Sequence, residues 1–142
     1  AIIVGKGIEK TNLLNFIKEN NLEKNVSLLE FLNNPYPIIK ESDLFILTSK
    51  YEGLPNVLLE ALVLKKMIIS SNCRTGPKET LLNGKGGLLF NVGDHIQLYK
   101  KILYYVKKKK KCNKMIKIGI KNLNRFEKKR NLEKYFDLIT SK

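Results

Sequence analysis

Short apolar runs rich in Ile, Val, Leu and Phe recur along the chain as far as Phe90. Such runs are typical of strands that a parallel sheet buries on both faces, and segments of helical length separate them here. The predicted strands are Ala1–Val4, Val26–Leu29, Leu44–Leu47, Met67–Ser70 and Leu88–Phe90. The predicted helices are Lys10–Glu19, Pro37–Lys40, Pro55–Leu64, Pro77–Leu82 and His95–Lys107.

This alternation of strand and helix predicts an α/β fold with one parallel, doubly wound, Rossmann-like sheet of five or more strands. Beyond the lysine run at residues 107–111, apolar residues recur at helical spacing around residues 115–123 and 132–139, which predicts two further amphipathic helices. We expect residues 1–107 to form the sheet domain. Residues 108–142 are expected to be basic helices that pack back on it.

Two helix starts carry capping chemistry. Thr75 precedes a Gly-Pro pair and Glu79, so it is the predicted cap of the helix that starts at Pro77. Asp94 is the predicted cap of the next helix.

Charge is unevenly distributed along the chain. The formal net charge is +14, but residues 1–99 hold 11 basic and 10 acidic residues, whereas residues 100–142 hold 16 and 3. A tail this basic predicts weak attraction to anionic membranes. Nucleic-acid binding is disfavoured, because Lys outnumbers Arg 24 to 3 and no recognisable nucleic-acid module is present.

The few Cys and His residues argue against a structural metal. Cys73 and Cys112 lack CxxC spacing and His95 is the one histidine, so the sequence indicates a reducing compartment and no zinc site. No apolar run is long enough to cross a bilayer. The first residues, AIIVGKG, carry neither an initiator Met nor a charged leader, so we expect the chain to begin inside a longer protein.

Three strand-to-helix turns are candidate ligand sites, since ligands of parallel sheets lie outside the carboxyl ends of the strands. The first holds Gly5 and Gly7, and a simple tight turn explains it equally well. The second is residues 44–62, LFILTSKYEGLPNVLLEAL, and the third is residues 70–79, SSNCRTGPKE. Capping alone is an alternative for the third turn.

The second turn carries two glutamates, Glu52 on the loop and Glu60 on the helix that follows. Because Glu60 interrupts the apolar run from Val57 to Leu62, its carboxylate is expected to be partly buried and to need a polar partner. The helix end between the glutamates offers amides and a positive dipole, which suit a phosphate. The alternative is that both are surface charges.

At these residues the chain resembles the nucleotide-sugar glycosyltransferases with an E-x7-E motif, family 4, also called group 1. The match is DLFILTSKYEGLPNVLLEAL at residues 43–62, supported by IIVGKG at 2–7, NPYP at 34–37, TGPKE at 75–79 and GKGGLLF at 84–90. The resemblance implies the carboxy-terminal, Rossmann-like donor-binding domain of a GT-B enzyme.

The resemblance also implies residue roles. Glu52 would bind hydroxyls of the transferred sugar, and Glu60 the ribose hydroxyls of the nucleotide. The implied donor-binding residues are Gly5, Gly7, Gly53, Leu54, Pro55, Asn56, Thr75 and Gly76. Such enzymes retain anomeric configuration and use neither a metal, a cofactor nor an established covalent nucleophile.

Two departures from the family pattern limit these expectations. The basic Arg and Lys that normally bind the diphosphate, and the amino-terminal acceptor domain, are not in this chain, so activity of the chain alone is not expected. The segment LKKM at residues 64–67 replaces the usual Gly-x-Pro turn.

The sequence therefore predicts the donor-binding half of a cytoplasmic glycosyltransferase, peripheral at the inner membrane surface, that acts on a glycan or lipid-linked acceptor. Alternatives are a non-catalytic nucleotide-sugar-binding fragment and a GT-B nucleotide-sugar epimerase, which the Gly-Leu-Pro-Asn setting disfavours. The sequence leaves open UDP or GDP, the sugar and the acceptor.

Overall fold

A computed structural model describes residues 1–140 and shows an α/β fold with parallel strands. The strands are β1 (Ile2–Val4), β2 (Ser27–Leu29), β3 (Leu44–Leu47), β4 (Met67–Ser71) and β5 (Leu88–Phe90). The helices are α1 (Lys10–Glu19), α2 (Tyr36–Glu41), α3 (Asn56–Val63), α4 (Pro77–Thr80), α5 (His95–Lys107), α6 (Lys109–Lys121) and α7 (Lys128–Thr140), with a 3-10 turn at Leu123–Phe126.

The chain divides into two compact units, the first of which is Ala1–Pro35. In this unit β1 pairs in parallel with β2, with Ile2 opposite Ser27 and Val4 opposite Leu29. All three β1 side chains are exposed, and Ile17 of α1 is the buried residue of the unit.

The second unit begins at Tyr36 and is built on a three-stranded parallel ladder in the order β3, β4, β5. Leu44 lies opposite Met67, and Ile69 lies opposite Leu88. Every residue of β4 is buried. A central strand covered in this way explains the unbroken apolar run that predicted it.

The parallel α/β fold predicted from the sequence is confirmed, but the expected single sheet is corrected. Ladder hydrogen bonds in residues 1–140 form two separate groups, β1 with β2 and β3 with β4 and β5. An apolar run predicts a strand but carries no information about which strand lies beside it, so the sequence could not reveal this division.

Element boundaries follow the local signals closely. The strands Leu44–Leu47 and Leu88–Phe90 and the helices Lys10–Glu19 and His95–Lys107 have the predicted limits. The predicted Asp94 cap is confirmed, since its carboxylate accepts a hydrogen bond from the Gln97 amide at 2.7 Å. Helix α4 ends earlier than predicted, because Leu82 and Asn83 turn the backbone into the left-handed region.

The core of the second unit lies where α3 meets β4. Buried side chains from α3, β4 and neighbouring elements form one cluster: Ile39, Leu58, Ala61, Leu62, Ile68 and Leu81. Helix α6 joins this core through Cys112 and Gly119, which are both buried, whereas every residue of α7 is exposed. The division of the chain at residue 107 stays a prediction.

Helix α6 approaches the core at a glycine. A Cβ atom at Gly119 would lie 2.6 Å from Leu62 Cδ2 and 3.2 Å from the carbonyl oxygen of Gly86. Both distances are shorter than a normal van der Waals contact, so the helix can lie this close only because position 119 has no side chain.

Replacing Gly119 by valine should therefore destabilise the second unit. We expect Gly119→Val to lower the free energy of unfolding by about 1–3 kcal/mol, the usual cost of overpacking, measured by urea denaturation. The control is Asn113→Val on the exposed side of the same helix, expected within about 0.5 kcal/mol of the wild type. Equal losses in the two variants would contradict the close approach.

Candidate functional site

The loop between β3 and α3 contains most of the predicted site residues. Glu52 is half-buried, Gly53 and Leu54 are exposed, and Pro55 is buried. Helix α3 begins at Asn56 with Pro55 as its N-cap, which corrects the prediction that Pro55 is the first helical residue. Its ψ of 88° lies outside the helical region, although its φ of −75° is compatible with a helix.

The amino end of α3 has no side-chain cap. The Leu58 amide donates to the Pro55 carbonyl at 2.9 Å, whereas the amides of Asn56 and Val57 have no acceptor in the described part of the chain. Two unpaired donors at the positive end of a helix dipole form a site suited to an anion.

The loop after β4 packs directly against the loop before α3. Gly76 has a φ of +89°, and a Cβ atom there would lie 2.1 Å from the carbonyl oxygen of Gly53 and 2.5 Å from Pro55 Cδ. The Thr75 hydroxyl donates a hydrogen bond to the carbonyl oxygen of Glu52. The structure thus brings the second and third predicted turns together, backbone against backbone.

This contact explains why the predicted Thr75 cap is wrong. The N-cap of α4 is Gly76, and no side chain caps that helix. The Thr75 hydroxyl is committed to the Glu52 carbonyl instead. A capping signal in the sequence is local, whereas this hydrogen bond joins residues 23 positions apart.

Buried hydroxyl and backbone groups at the end of β4 hold the same loops. The Ser71 hydroxyl donates to the Ser49 carbonyl at 2.6 Å, and the Asn72 amide donates to the Phe90 carbonyl at 2.7 Å. Sequence reasoning gave Ser71 no individual role. The predicted strand ends at Ser70 whereas β4 extends to Ser71, and the signal that could have indicated Ser71 was a hydroxyl directly after an apolar run, where a buried polar group needs a partner.

Glu60 lies on the second turn of α3 and is half-buried, so the predicted partial burial is confirmed. Within residues 1–140 neither the Glu60 nor the Glu52 carboxylate has a hydrogen bond or an ion pair. A half-buried carboxylate without a protein partner is available to accept hydrogen bonds from hydroxyl groups of a ligand.

A polar hollow of about 420 Å³ adjoins the Thr75–Gly76 loop. Its lining includes the exposed basic residues Arg74 and Lys78, to which the sequence gave no role. Both flank the TGP motif, and that position beside a candidate ligand loop was the signal that could have indicated them. Glu79 also lines the hollow, so two basic side chains and one acidic side chain leave it with a net positive charge that favours an anionic ligand.

The remaining predicted residues, Gly5 and Gly7, lie in the first unit. They line a separate hollow of about 200 Å³ together with Ile3, Lys10 and Leu29. The Gly5 amide donates to the Leu29 carbonyl at 3.0 Å, and Lys10 pairs with the exposed Glu30. These contacts account for a tight turn between β1 and α1.

Other chemistry is sparse in the described residues. Cys73 and Cys112 are buried free thiols, and burial raises the pKa of Cys112, which lowers its reactivity. Within residues 1–140 no three His, Cys, Asp or Glu side chains form a group that could bind a metal ion. No helix in this part of the chain has the length and apolar character to span a membrane.

The sequence matches the model of one protein family. The model for Glycosyl transferases group 1 matches residues 1–122. The chain belongs to this family. The paired turns described above can therefore be compared with the turns of other family members.

Relatives and solved structures agree with this assignment. The N-acetylgalactosamine-N,N'-diacetylbacillosaminyl-diphospho-undecaprenol 4-alpha-N-acetylgalactosaminyltransferase of Campylobacter jejuni is 36% identical over 98 residues, covering 69% of this chain and 27% of that protein. A mutant of Staphylococcus aureus TarM, in complex with Fondaparinux, alpha-GlcNAc-glycerol and UDP, superposes with a TM-score of 0.85 at 25% identity, covering 98% of this chain and 28% of that one. Anabaena HepE with UDP gives a TM-score of 0.87 at 22% identity, covering 100% of this chain and 41% of that one.

The chain spans a minor part of these proteins. It covers 20% to 27% of the length of the first three curated relatives that it matches. The family and the fold are therefore established for this chain, whereas the activity of a whole enzyme is a proposal.

The contact between the two loops makes a direct prediction about Gly76. We expect Gly76→Ala to lower the free energy of unfolding by about 2–4 kcal/mol, the sum of a positive-φ penalty and an overlap with Gly53. The matched control is Gly93→Ala, because Gly93 has a φ of +78° but no atom within 4 Å of an added Cβ. That control should lose only about 1 kcal/mol in the same urea titration. Equal losses at both glycines would show that the loops are not in contact.

Proposed function

We propose that this chain is the donor-binding half of a retaining glycosyltransferase that transfers a sugar from a nucleoside diphosphate sugar to a glycan or lipid-linked acceptor. One observation carries the proposal. Glu52 in the loop before the uncapped start of α3 and Glu60 on its second turn have carboxylates without a partner within residues 1–140, in a chain of the group 1 family. An amino-terminal acceptor domain is the partner that would complete the cleft.

The two glutamates divide the donor between them. A carboxylate has several acceptor positions, so Glu60 can accept hydrogen bonds from both ribose hydroxyls of the nucleotide. Glu52, on the loop ahead of the helix, accepts hydrogen bonds from hydroxyls of the transferred sugar. These roles follow the E-x7-E motif that the chain resembles, and the absence of protein partners at both side chains supports them.

The diphosphate lies at the amino end of α3 in this proposal. The unpaired amides of Asn56 and Val57 supply donors there, and the helix dipole favours negative charge. The resemblance implies that Gly53, Leu54 and Pro55, directly before this helix end, belong to the same donor-binding segment. Negative charge grows on the diphosphate as the sugar leaves, and fixed donors at this point stabilise that change without reorganising.

The residues after β4 act on the same site from the other side. Thr75 and Gly76 fix the loop that carries Glu52, and Arg74 and Lys78 line a hollow with Thr75 and Gly76. In this proposal they hold the donor loop in its binding conformation. The family motif implies a donor-binding role for Gly5 and Gly7 of the first unit as well, and we propose that no metal or cofactor takes part.

The comparisons suggest the first substrates to test. UDP is present in the TarM and HepE structures, and the named substrate of the Campylobacter jejuni relative is carried on diphospho-undecaprenol. We therefore propose a UDP-sugar as donor and a lipid-linked acceptor. The basic tail supports a cytoplasmic enzyme that lies peripherally at the inner membrane surface.

Calorimetry with UDP and with a UDP-sugar separates the two glutamate roles. Glu60→Ala should weaken binding of both ligands roughly tenfold or more, because hydrogen bonds to the ribose are lost. Glu52→Ala should leave UDP affinity nearly unchanged and chiefly remove the preference for the UDP-sugar. Because the other half of the cleft is outside this chain, high ligand concentrations are used.

The matched control is Glu41→Ala, which removes an exposed carboxylate at the end of α2 and should bind both ligands like the wild type. If folded Glu52→Ala and Glu60→Ala variants also bind like the wild type, the site assignment is wrong. If all three variants bind more weakly by the same factor, the glutamates act through overall charge and the proposed division is wrong.

A further inference from the structure

Helix α6 carries a straight row of lysines along one side. Lys110, Lys114, Lys117 and Lys121 are spaced by four, three and four residues, so their side chains project from the same face of the helix. All four residues are exposed. At 1.5 Å per residue the row is about 16 Å long. We refer to these four residues as the lysine stripe.

The packing of α6 fixes the direction of the stripe. Cys112 and Gly119 are buried on the other side of the helix, and Gly119 lies against Leu62 and Gly86. An approach this close leaves α6 little freedom to rotate about its axis. The lysine stripe is therefore held outward by the core of the second unit.

No ion pair within residues 1–140 neutralises a lysine of the stripe. Helix α6 contains no Asp or Glu, and within residues 1–140 none of the four ammonium groups has an ion pair or hydrogen bond. Like charges three and four residues apart destabilise a helix. Lysines at the amino end also oppose the helix dipole. An anionic surface laid along α6 would relieve both effects.

We propose that the lysine stripe is a docking surface for an anionic lipid bilayer. Four outward ammonium groups in a row can meet lipid phosphates in one plane, and each lysine near such a surface strengthens attraction by roughly fivefold. Ile118, 41% exposed beside the stripe, adds an apolar side chain at the same surface. The proposal extends the peripheral location proposed above to particular residues.

The composition of the stripe favours a bilayer over other polyanions. It contains no Arg, the residue that grips phosphates and bases with two parallel hydrogen bonds, and no aromatic side chain on which bases could stack. A second copy of the chain would present the same positive charge and would be repelled. Binding to nucleic acid instead of a bilayer is a competing outcome that the experiment below measures.

Vesicle co-sedimentation without donor or acceptor tests the stripe separately from sugar transfer. The wild-type chain should bind vesicles of phosphatidylcholine with phosphatidylglycerol at low salt, and binding should fall as salt is raised. It should not bind pure phosphatidylcholine. Changing all four stripe lysines to Gln should weaken binding to the mixed vesicles roughly a hundredfold or more.

The matched control changes four scattered exposed lysines, Lys18, Lys24, Lys85 and Lys100, to Gln. It loses the same charge and should weaken binding by about tenfold or less, since distant charges are screened. A Lys114→Gln, Lys117→Gln double variant removes half of the stripe. Circular dichroism of every variant then distinguishes a loss of binding from a loss of folding.

Three results would overturn the proposal. Equal weakening in the stripe and scattered variants would leave only net charge as the cause. Wild-type binding to pure phosphatidylcholine would point to apolar insertion. Tighter binding to a duplex oligonucleotide than to the mixed vesicles at the same salt would assign the stripe to nucleic acid. Each result leaves the calorimetric test of Glu52 and Glu60 standing.

Discussion

The carbonyl oxygen of Gly53 occupies the space that a side chain at position 76 would need. This backbone contact is the constraint on which the candidate site depends. Strand β4 is buried along its whole length, so the loop that leaves it starts from a fixed position. That loop turns back over the loop from β3, and the hydrogen bond from Thr75 to Glu52 closes the junction. The loop after β4 thus holds the backbone at Glu52 and Gly53 through two adjacent residues, Thr75 and Gly76.

Some polar groups at this junction hold the loops together, and others are available to bind a ligand. Ser71 and Thr75 use their hydroxyls on backbone carbonyls, as buried or packed polar groups generally do. Among the described residues, the carboxylates of Glu52 and Glu60 and the first two amides of α3 have no partner. Local rules are most often unmet at functional or strained sites, and although α4 also lacks a side-chain cap, it is the two unpaired carboxylates that distinguish the end of α3. An uncapped helix beside two unpaired carboxylates fits a ligand with both phosphates and hydroxyls.

Much of this could be predicted from sequence because the signals are local. The apolar runs located β3, β4 and β5, the partial burial of Glu60 followed from its apolar neighbours, and Asp94 is the cap that its position indicated. What failed depended on residues distant in sequence. The division of the strands into two ladders and the diversion of the Thr75 hydroxyl from capping are set by tertiary packing. Local propensity carries no information about either.

The central claim is that the paired loops and the amino end of α3 bind the nucleotide diphosphate. The most direct measurement is an NMR titration of UDP into the isotopically labelled chain, following backbone amide resonances. We expect the largest shifts at the amides of Asn56 and Val57, with smaller shifts at Gly53 and Gly76. Saturable shifts confined to residues outside these loops, or no shift at these amides when the chain is saturated with UDP, would contradict it.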